Sequence, residues 1–147
     1  MGYTQYNNEK DAAAHQKAEE EKARRRTELN NEMSRLYIEL SNVNSQISSL
    51  VTEQSNLNTY MEDWINQKAI YSGNDILSEV VIVNTFEGVI ADKMRSEIQT
   101  CISEMDQTHS NVGVLNENVG TQISRLRQYA GGINGRIQNI KNELNTL

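Results

Sequence analysis

Bulky aromatic side chains are scarce in this sequence of 147 residues, which contains one phenylalanine and one tryptophan. Only 5% of the residues are aromatic, and polar side chains dominate the rest. A composition of this kind does not fill a thick, layered core. A core that is only one stripe of side chains wide can still form, which favours long helices over sheet.

Basic residues are also in the minority, with 14 lysines and arginines against 20 aspartates and glutamates and a net charge of −6. Nucleic-acid binding is therefore not expected, because neutralising phosphates requires a basic face. The basic cluster Arg24–Arg26 follows a run of acidic residues. The spacing predicts solvated helix-surface ion pairs between Glu20 and Arg24 and between Glu21 and Arg25.

Long apolar runs are absent too. No stretch of 18 apolar residues occurs, so we expect no membrane span, and the polar N-terminus does not resemble a secretory signal peptide. No cluster of histidine and cysteine has metal-ligand spacing, and no phosphate-binding, dinucleotide-binding or nucleophile motif is present. We therefore expect no metal, no cofactor and no enzymatic activity.

An apolar heptad pattern begins at Leu29 and continues for eleven positions with alternating spacings of four and three. Ten of the eleven are apolar, and Gln54 is the polar exception. Such a row predicts one side of a coiled coil. The positions are Leu29, Met33, Leu36, Leu40, Val43, Ile47, Leu50, Gln54, Leu57, Met61 and Trp64.

The second half of the chain repeats the pattern. Its first part predicts a seam with Cys101 as a small buried hydrophobe, consisting of Met94, Ile98, Cys101, Met105, Thr108, Val112, Leu115 and Val119. A spacing of four to Ile123, where three is due, is a stutter. The alternation then resumes with Leu126, Ala130, Ile133, Ile137, Ile140, Leu144 and Leu147.

These patterns predict an all-α fold, an elongated antiparallel two-helix hairpin or coiled coil with an irregular apolar connector. Residues 1–8 are expected to form a disordered tail, and residues 9–147 a single helical hairpin. Arm one is predicted to cover residues 9–71, the connector 72–88 and arm two 89–147. The β-branched run in the connector favours extended structure locally.

If the arms leave the connector evenly, Trp64 meets Met94 and Leu29 meets Ala130. In this register the C-terminal apolar stripe faces residues 11–26, which are mainly alanine and charged. The stripe then lacks a partner within the chain, so a second protein is expected to cover it. The predicted partner interface consists of Ile133, Ile137, Ile140 and Leu144.

At the junction of connector and second arm, a chain without proline places an aromatic residue, one spacer and a glycine. Phe86 can close the apolar end of the hairpin, and Gly88 removes a side chain where the backbone turns. Ala91 keeps the first turn of the arm slim, and Trp64 is expected to pack nearby, with a contact to a partner as the alternative. These four residues form the predicted hairpin corner.

The sequence Phe86-Glu87-Gly88 at the bend of a helical hairpin resembles the motif of the WXG-type proteins of type VII secretion. With its long first arm, the chain is more similar to the YwqH-like branch, whose members are encoded beside LXG toxins in Gram-positive bacteria. Phenylalanine stands where that family has tryptophan. No Tyr-x-x-x-Asp/Glu signal follows the second helix.

The resemblance implies a non-catalytic adaptor that completes a helical bundle with the N-terminal domain of an LXG-type effector and supports its export. A second small helical protein is a further candidate partner. The implied location is the bacterial cytoplasm, and export without a signal peptide stays open. The alternative function is that of a self-associating structural coiled-coil protein, which uninterrupted heptads also fit.

Overall fold

The computed structural model describes the backbone of residues 2–72 and 88–147, and the side chains of residues 10–70, 90 and 92–147. It contains two α-helices, α1 at Gly2–Ser72 and α2 at Gly88–Thr146, and no strand within the described ranges. The helices pair as an antiparallel hairpin. The predicted all-α hairpin fold is thus confirmed.

The first helix begins at Gly2, although the sequence predicted a tail as far as residue 8. It ends at Ser72, and α2 begins at Gly88, so most of the predicted connector, 73–87, lies outside the described residues. Alanine, glutamate, lysine and arginine between residues 9 and 28 have high helix propensity, which explains how this segment continues the helix without an apolar stripe.

The side chains from Lys10 to Glu28 are exposed, and their ion pairs differ from the predicted ones. Arg24 pairs with Glu28 at 3.6 Å, toward the C-terminus and not toward Glu20. Arg25 reaches Glu143 of α2 in a two-pronged contact of 2.7 and 3.1 Å. One arginine of the basic cluster is therefore used to join the two helices.

The chain divides into two compact units, one made of residues 1–47 and 125–147, the other of residues 48–124. Three polar bridges between α1 and α2 define the pairing in the first unit: Arg25 with Glu143, Glu32 with Arg136, and Glu39 with Tyr129. Residue numbers rise along one helix as they fall along the other, which is an antiparallel arrangement. Leu29 lies between the first two bridges, so the predicted pairing of Leu29 with Ala130 is wrong.

The core of the first unit is aliphatic. Leu29 is 1% exposed and Ile133 is 2% exposed. Their cluster contains Leu29, Leu36, Val43, Ala130, Ile133, Ile137 and Ile140, with Leu144 half-buried against it. The C-terminal stripe therefore has a partner within the chain, and the premise that led to the predicted interface of Ile133, Ile137, Ile140 and Leu144 is wrong. The reason is the register, which brings the three isoleucines to the leucines of α1 rather than to residues 11–26.

Within the second unit, Lys68 of α1 contacts Asp106 of α2 through both carboxylate oxygens, at 2.6 and 2.8 Å. Asn116 donates a hydrogen bond to Asn58 at 2.7 Å. Trp64 lies close to Asp106 at this level. The predicted pairing of Trp64 with Met94 is therefore also wrong, because the evenly spaced exit from the connector does not hold.

Candidate partner-binding surface

The heptad row predicted for α1 is confirmed. All eleven positions from Leu29 to Trp64 are buried or half-buried, including the polar Gln54. The heptad spacing continues for one more position, to Lys68, and Lys68 is half-buried as well. The sequence pattern therefore identifies the face of α1 that packs against α2 between Leu29 and Lys68.

The matching row in the first part of α2 is different, and we call its eight residues the outer stripe: Met94, Ile98, Cys101, Met105, Thr108, Val112, Leu115 and Val119. Met94 and Leu115 are each 50% exposed and Met105 is 44% exposed. Cys101 and Thr108 are exposed too, whereas the other three are half-buried. The prediction that this row forms the seam of the hairpin, with Cys101 buried, is wrong for the five exposed residues.

The residues that face α1 lie one position further along the chain. We call them the inner row: Ile102, Asp106, His109, Gly113, Asn116 and Gly120, all half-buried. An offset of one residue turns a helix by about 100°. The heptad pattern predicts that the apolar outer stripe packs against α1. In the structure, the inner row, which is mostly polar residues and glycine, packs there instead.

Two glycines of the inner row lie against long side chains of α1, and the contact is tight at Gly120. A Cβ atom on Gly113 would lie 3.6 Å from Cε of Met61, and one on Gly120 would lie 3.0 Å from Nε2 of Gln54. The distance at Gly113 is an ordinary van der Waals contact, whereas the missing side chain of Gly120 leaves room for Gln54 to pack onto the backbone of α2. Hydrophobic spacing alone does not indicate this, because glycine counts as neither apolar nor polar in a heptad.

Asp106 is the charged member of the inner row. The hydrogen bond from Lys68 lowers the pKa of Asp106 below its usual value; partial burial opposes this shift, and the charge of Lys68 adds to it. The carboxylate is therefore held in its ionised form. Its contact with Lys68 joins the two helices at one level of the second unit.

Two other polar side chains of the inner row, those of His109 and Asn116, do not make all of their hydrogen bonds. Among the described residues, Nε2 of His109 and Oδ1 of Asn116 are buried without a hydrogen-bond partner. A buried polar atom without a partner costs roughly 1–3 kcal/mol. The face of α2 that packs against α1 in the second unit is therefore a weak core: it has apolar side chains at Ile102 and Ile123, while Met94, Met105 and Leu115 are exposed.

One exposed aromatic residue of α1 extends the outer stripe. Met61 of α1 lies next to Gly113 of α2. Tyr60 and Val112 each come one position before these two residues. In an antiparallel pair, residues that precede the seam by one lie on the same side of both helices. Tyr60, 52% exposed, thus borders the same side of the pair as Met105 and Val112.

The surroundings of the outer stripe are acidic. The described part of the second unit, residues 48–72 and 88–124, carries 8 aspartates and glutamates but 3 lysines and arginines. Glu97 and Glu104 directly precede the stripe residues Ile98 and Met105, and Glu53 precedes the seam residue Gln54 on the α1 side. All three carboxylates are exposed, and none has an ion-pair partner within the described residues.

The predicted hairpin corner is only partly within the described residues. Gly88 is the first residue of α2. Trp64 is half-buried beside Asp106, in the middle of the second unit. Phe86 lies outside the described residues, as does the side chain of Ala91, so their part in a corner stays a prediction.

In the described ranges, no group of three or more histidine, cysteine, aspartate or glutamate side chains could hold a metal ion. Neither helix contains, in its described part, a segment long and apolar enough to cross a membrane. Comparisons with protein-family models, curated proteins and solved structures find no match to this chain.

Proposed function

We propose that this chain is a non-catalytic adaptor that binds the helical N-terminal domain of an LXG-type effector of type VII secretion. The outer stripe is the observation that carries the proposal. Apolar residues with heptad spacing face outward on α2, while a polar row is packed inward. The outer stripe takes the role that the sequence pattern gave to the C-terminal stripe, because the C-terminal stripe is buried in the first unit.

The geometry of the stripe favours a helix as its ligand. Its residues alternate spacings of four and three, which is the pattern that packs against a second helix. From Met94 to Val119 the stripe extends over about 38 Å at 1.5 Å per residue. A helical segment of a partner with its own apolar heptads fits a surface of this length and shape.

Each exposed apolar residue of the outer stripe can contribute free energy of burial when a partner covers it. Fully burying an exposed methionine or leucine side chain contributes roughly 1.5–3 kcal/mol, and Met94, Met105 and Leu115 each expose about half of their surface, so about half of that contribution is left at each. A partner helix gains that contribution without rearranging the first unit. The resemblance of Phe86-Glu87-Gly88 to the WXG-type motif supports a secretion effector as the source of the helix.

The test is co-expression of the full chain with the N-terminal domains of LXG-type toxins encoded next to it, followed by co-purification. We expect a stable hetero-complex. Changing Met105→Asp together with Leu115→Asp should weaken it by on the order of 100-fold or more, because two apolar contacts are replaced by charges. Both side chains are exposed, so the helicity of the free chain should stay unchanged.

A matched control is Ile38→Asp, which places the same charge on an exposed residue of the first unit, 65% exposed. This variant should bind like the unchanged chain. Failure of every candidate domain to form a complex would refute the adaptor role. A complex that tolerates the Met105 and Leu115 changes would refute the outer stripe as its binding surface.

A further inference from the structure

We infer that the helix that docks on the outer stripe carries lysine or arginine along the flanks of its own apolar stripe, and that it is not a second copy of this chain. This inference rests on the proposed binding function and adds the chemistry of the partner. It is carried by the charges that border the outer stripe.

The acidic border lies on both sides of the surface. Glu97 and Glu104 follow one edge of the outer stripe on α2, and Glu53 lies on the side of α1 that also presents Tyr60. In coiled coils, residues at such flanking positions form ion pairs with the partner helix and select it by charge. An arriving helix therefore meets carboxylates on either side of its apolar residues.

Basic residues of the second unit do little to offset this border. Lys68 is bound by Asp106, and Arg95 contacts Asp92 of its own helix at 3.1 Å. Lys93, next to Met94 at the start of the stripe, is the third basic residue. The acidic excess near Glu97, Glu104 and Glu53 is thus left for a partner to neutralise.

A second copy of the chain is a poor occupant for the same reason. Pairing two outer stripes would bring together two units that each carry 8 acidic and 3 basic residues in their described part. In an antiparallel pairing the flanking carboxylates, such as Glu104, would face those of the other copy. Like charges at these positions disfavour pairing.

The experiment uses two synthetic four-heptad peptides with leucine at the a and d positions. One carries lysine and the other glutamate at the flanking e and g positions, so that like charges suppress self-pairing of either peptide. Binding to the full chain is measured by fluorescence anisotropy at low and at high salt. We expect the lysine peptide to bind at least about tenfold more tightly, and its advantage to shrink as salt screens the charges.

Two variants tie that preference to named residues. Met105→Asp with Leu115→Asp should abolish binding of the lysine peptide. Glu97→Lys with Glu104→Lys should remove or reverse the preference between the peptides without removing binding. Equal affinity of the two peptides for the unchanged chain, or no binding of the lysine peptide, would overturn the inference.

Sedimentation of the chain alone tests the second copy as occupant. We expect a monomer at micromolar concentration. A dimer that Leu115→Asp dissociates would overturn the inference. A complex with an effector domain that has no basic flanks would also overturn it while leaving the proposed function intact, whereas the absence of any effector complex would count against the function itself.

Discussion

Asp106 occupies a position where a helix seam usually has an aliphatic side chain. It is tolerated there because Lys68 donates hydrogen bonds to both of its carboxylate oxygens. The carboxylate is thereby kept ionised within the second unit. Lys68, at the next heptad position after Trp64 on α1, and Asp106 show how a charge pair can replace an apolar layer at a partly exposed site.

The ion pair of Lys68 and Asp106 is expected to make the stability of the fold depend on pH. The pKa of Asp106 is lowered from its usual value of 3.8, so the pair contributes stability above about pH 4, and the contribution is lost as the pH falls through the lower pKa of the folded state. We expect Asp106→Asn to lower the urea midpoint at neutral pH. The difference between variant and unchanged chain should disappear in strong acid.

Glu143 provides a comparison in the first unit, because the hydrogen bond from Arg25 likewise lowers its pKa from 4.5. Glu143→Gln should therefore show the same loss in acid, from slightly higher pH. Urea midpoints measured at several values between about pH 2 and pH 7 decide the point. A constant difference between Asp106→Asn and the unchanged chain would exclude the proposed linkage.

At the scale of helices, α2 consists of two parts that pack differently. The part in the first unit inserts isoleucines between the leucines of α1, and the part in the second unit packs through its glycine and polar inner row. Substitutions of similar residues in the two parts should therefore have different effects, on stability in the first and on binding in the second.

Ile137→Ala is expected to lower the free energy of unfolding by about 2–5 kcal/mol, because it leaves a cavity beside the buried leucines of α1. The control Ile38→Ala removes an exposed isoleucine and should change stability by less than about 0.5 kcal/mol. Thermal unfolding followed by circular dichroism measures both. Similar losses for the two variants would contradict the described core.

Because Ile137 and Ile140 are buried, aspartate at these positions is expected to disrupt the fold of the first unit. Ile137→Asp with Ile140→Asp would place two charges in the core of the first unit and unfold it, whereas the sequence alone suggested loss of a partner with the hairpin kept. Any loss of binding in that variant would then follow from loss of the fold.

The sequence was sufficient for the fold class, for the helical arms and for the packed face of α1, because an unbroken heptad row determines which side of a helix is buried. It was not sufficient for α2 between residues 94 and 120. There two faces compete, and Gly120 allows a close approach of Gln54 that hydrophobicity does not describe. The register between α1 and α2 could not be predicted either, because the heptad pattern repeats and a shift of one helix by seven residues matches apolar positions equally well.

At the scale of the whole molecule, the two units differ in what holds their helices together. The first has a continuous aliphatic cluster, and the second has ion pairs, amides and two buried polar atoms without partners in its described residues. Stability within a protein follows the local density of buried apolar side chains. The two units are therefore expected to open with different free energies.

Native-state hydrogen exchange can measure this difference. Amides near Leu36 and Ile137 should exchange through the largest opening free energy, and amides near Asn58 and Asn116 through a smaller one. Addition of a partner that docks on the outer stripe should slow exchange around Leu115 and leave the first unit nearly unchanged. Uniform protection along both helices would show that the chain opens as one cooperative unit.

The single cysteine also has a practical consequence for chemical labelling. Cys101 is exposed and lies in the outer stripe between Ile98 and Met105. A thiol-reactive fluorophore or spin label therefore attaches at one defined place on the natural sequence, without any engineered residue. The alkylation rate of this thiol provides a direct readout of whether the stripe is open to solvent or covered.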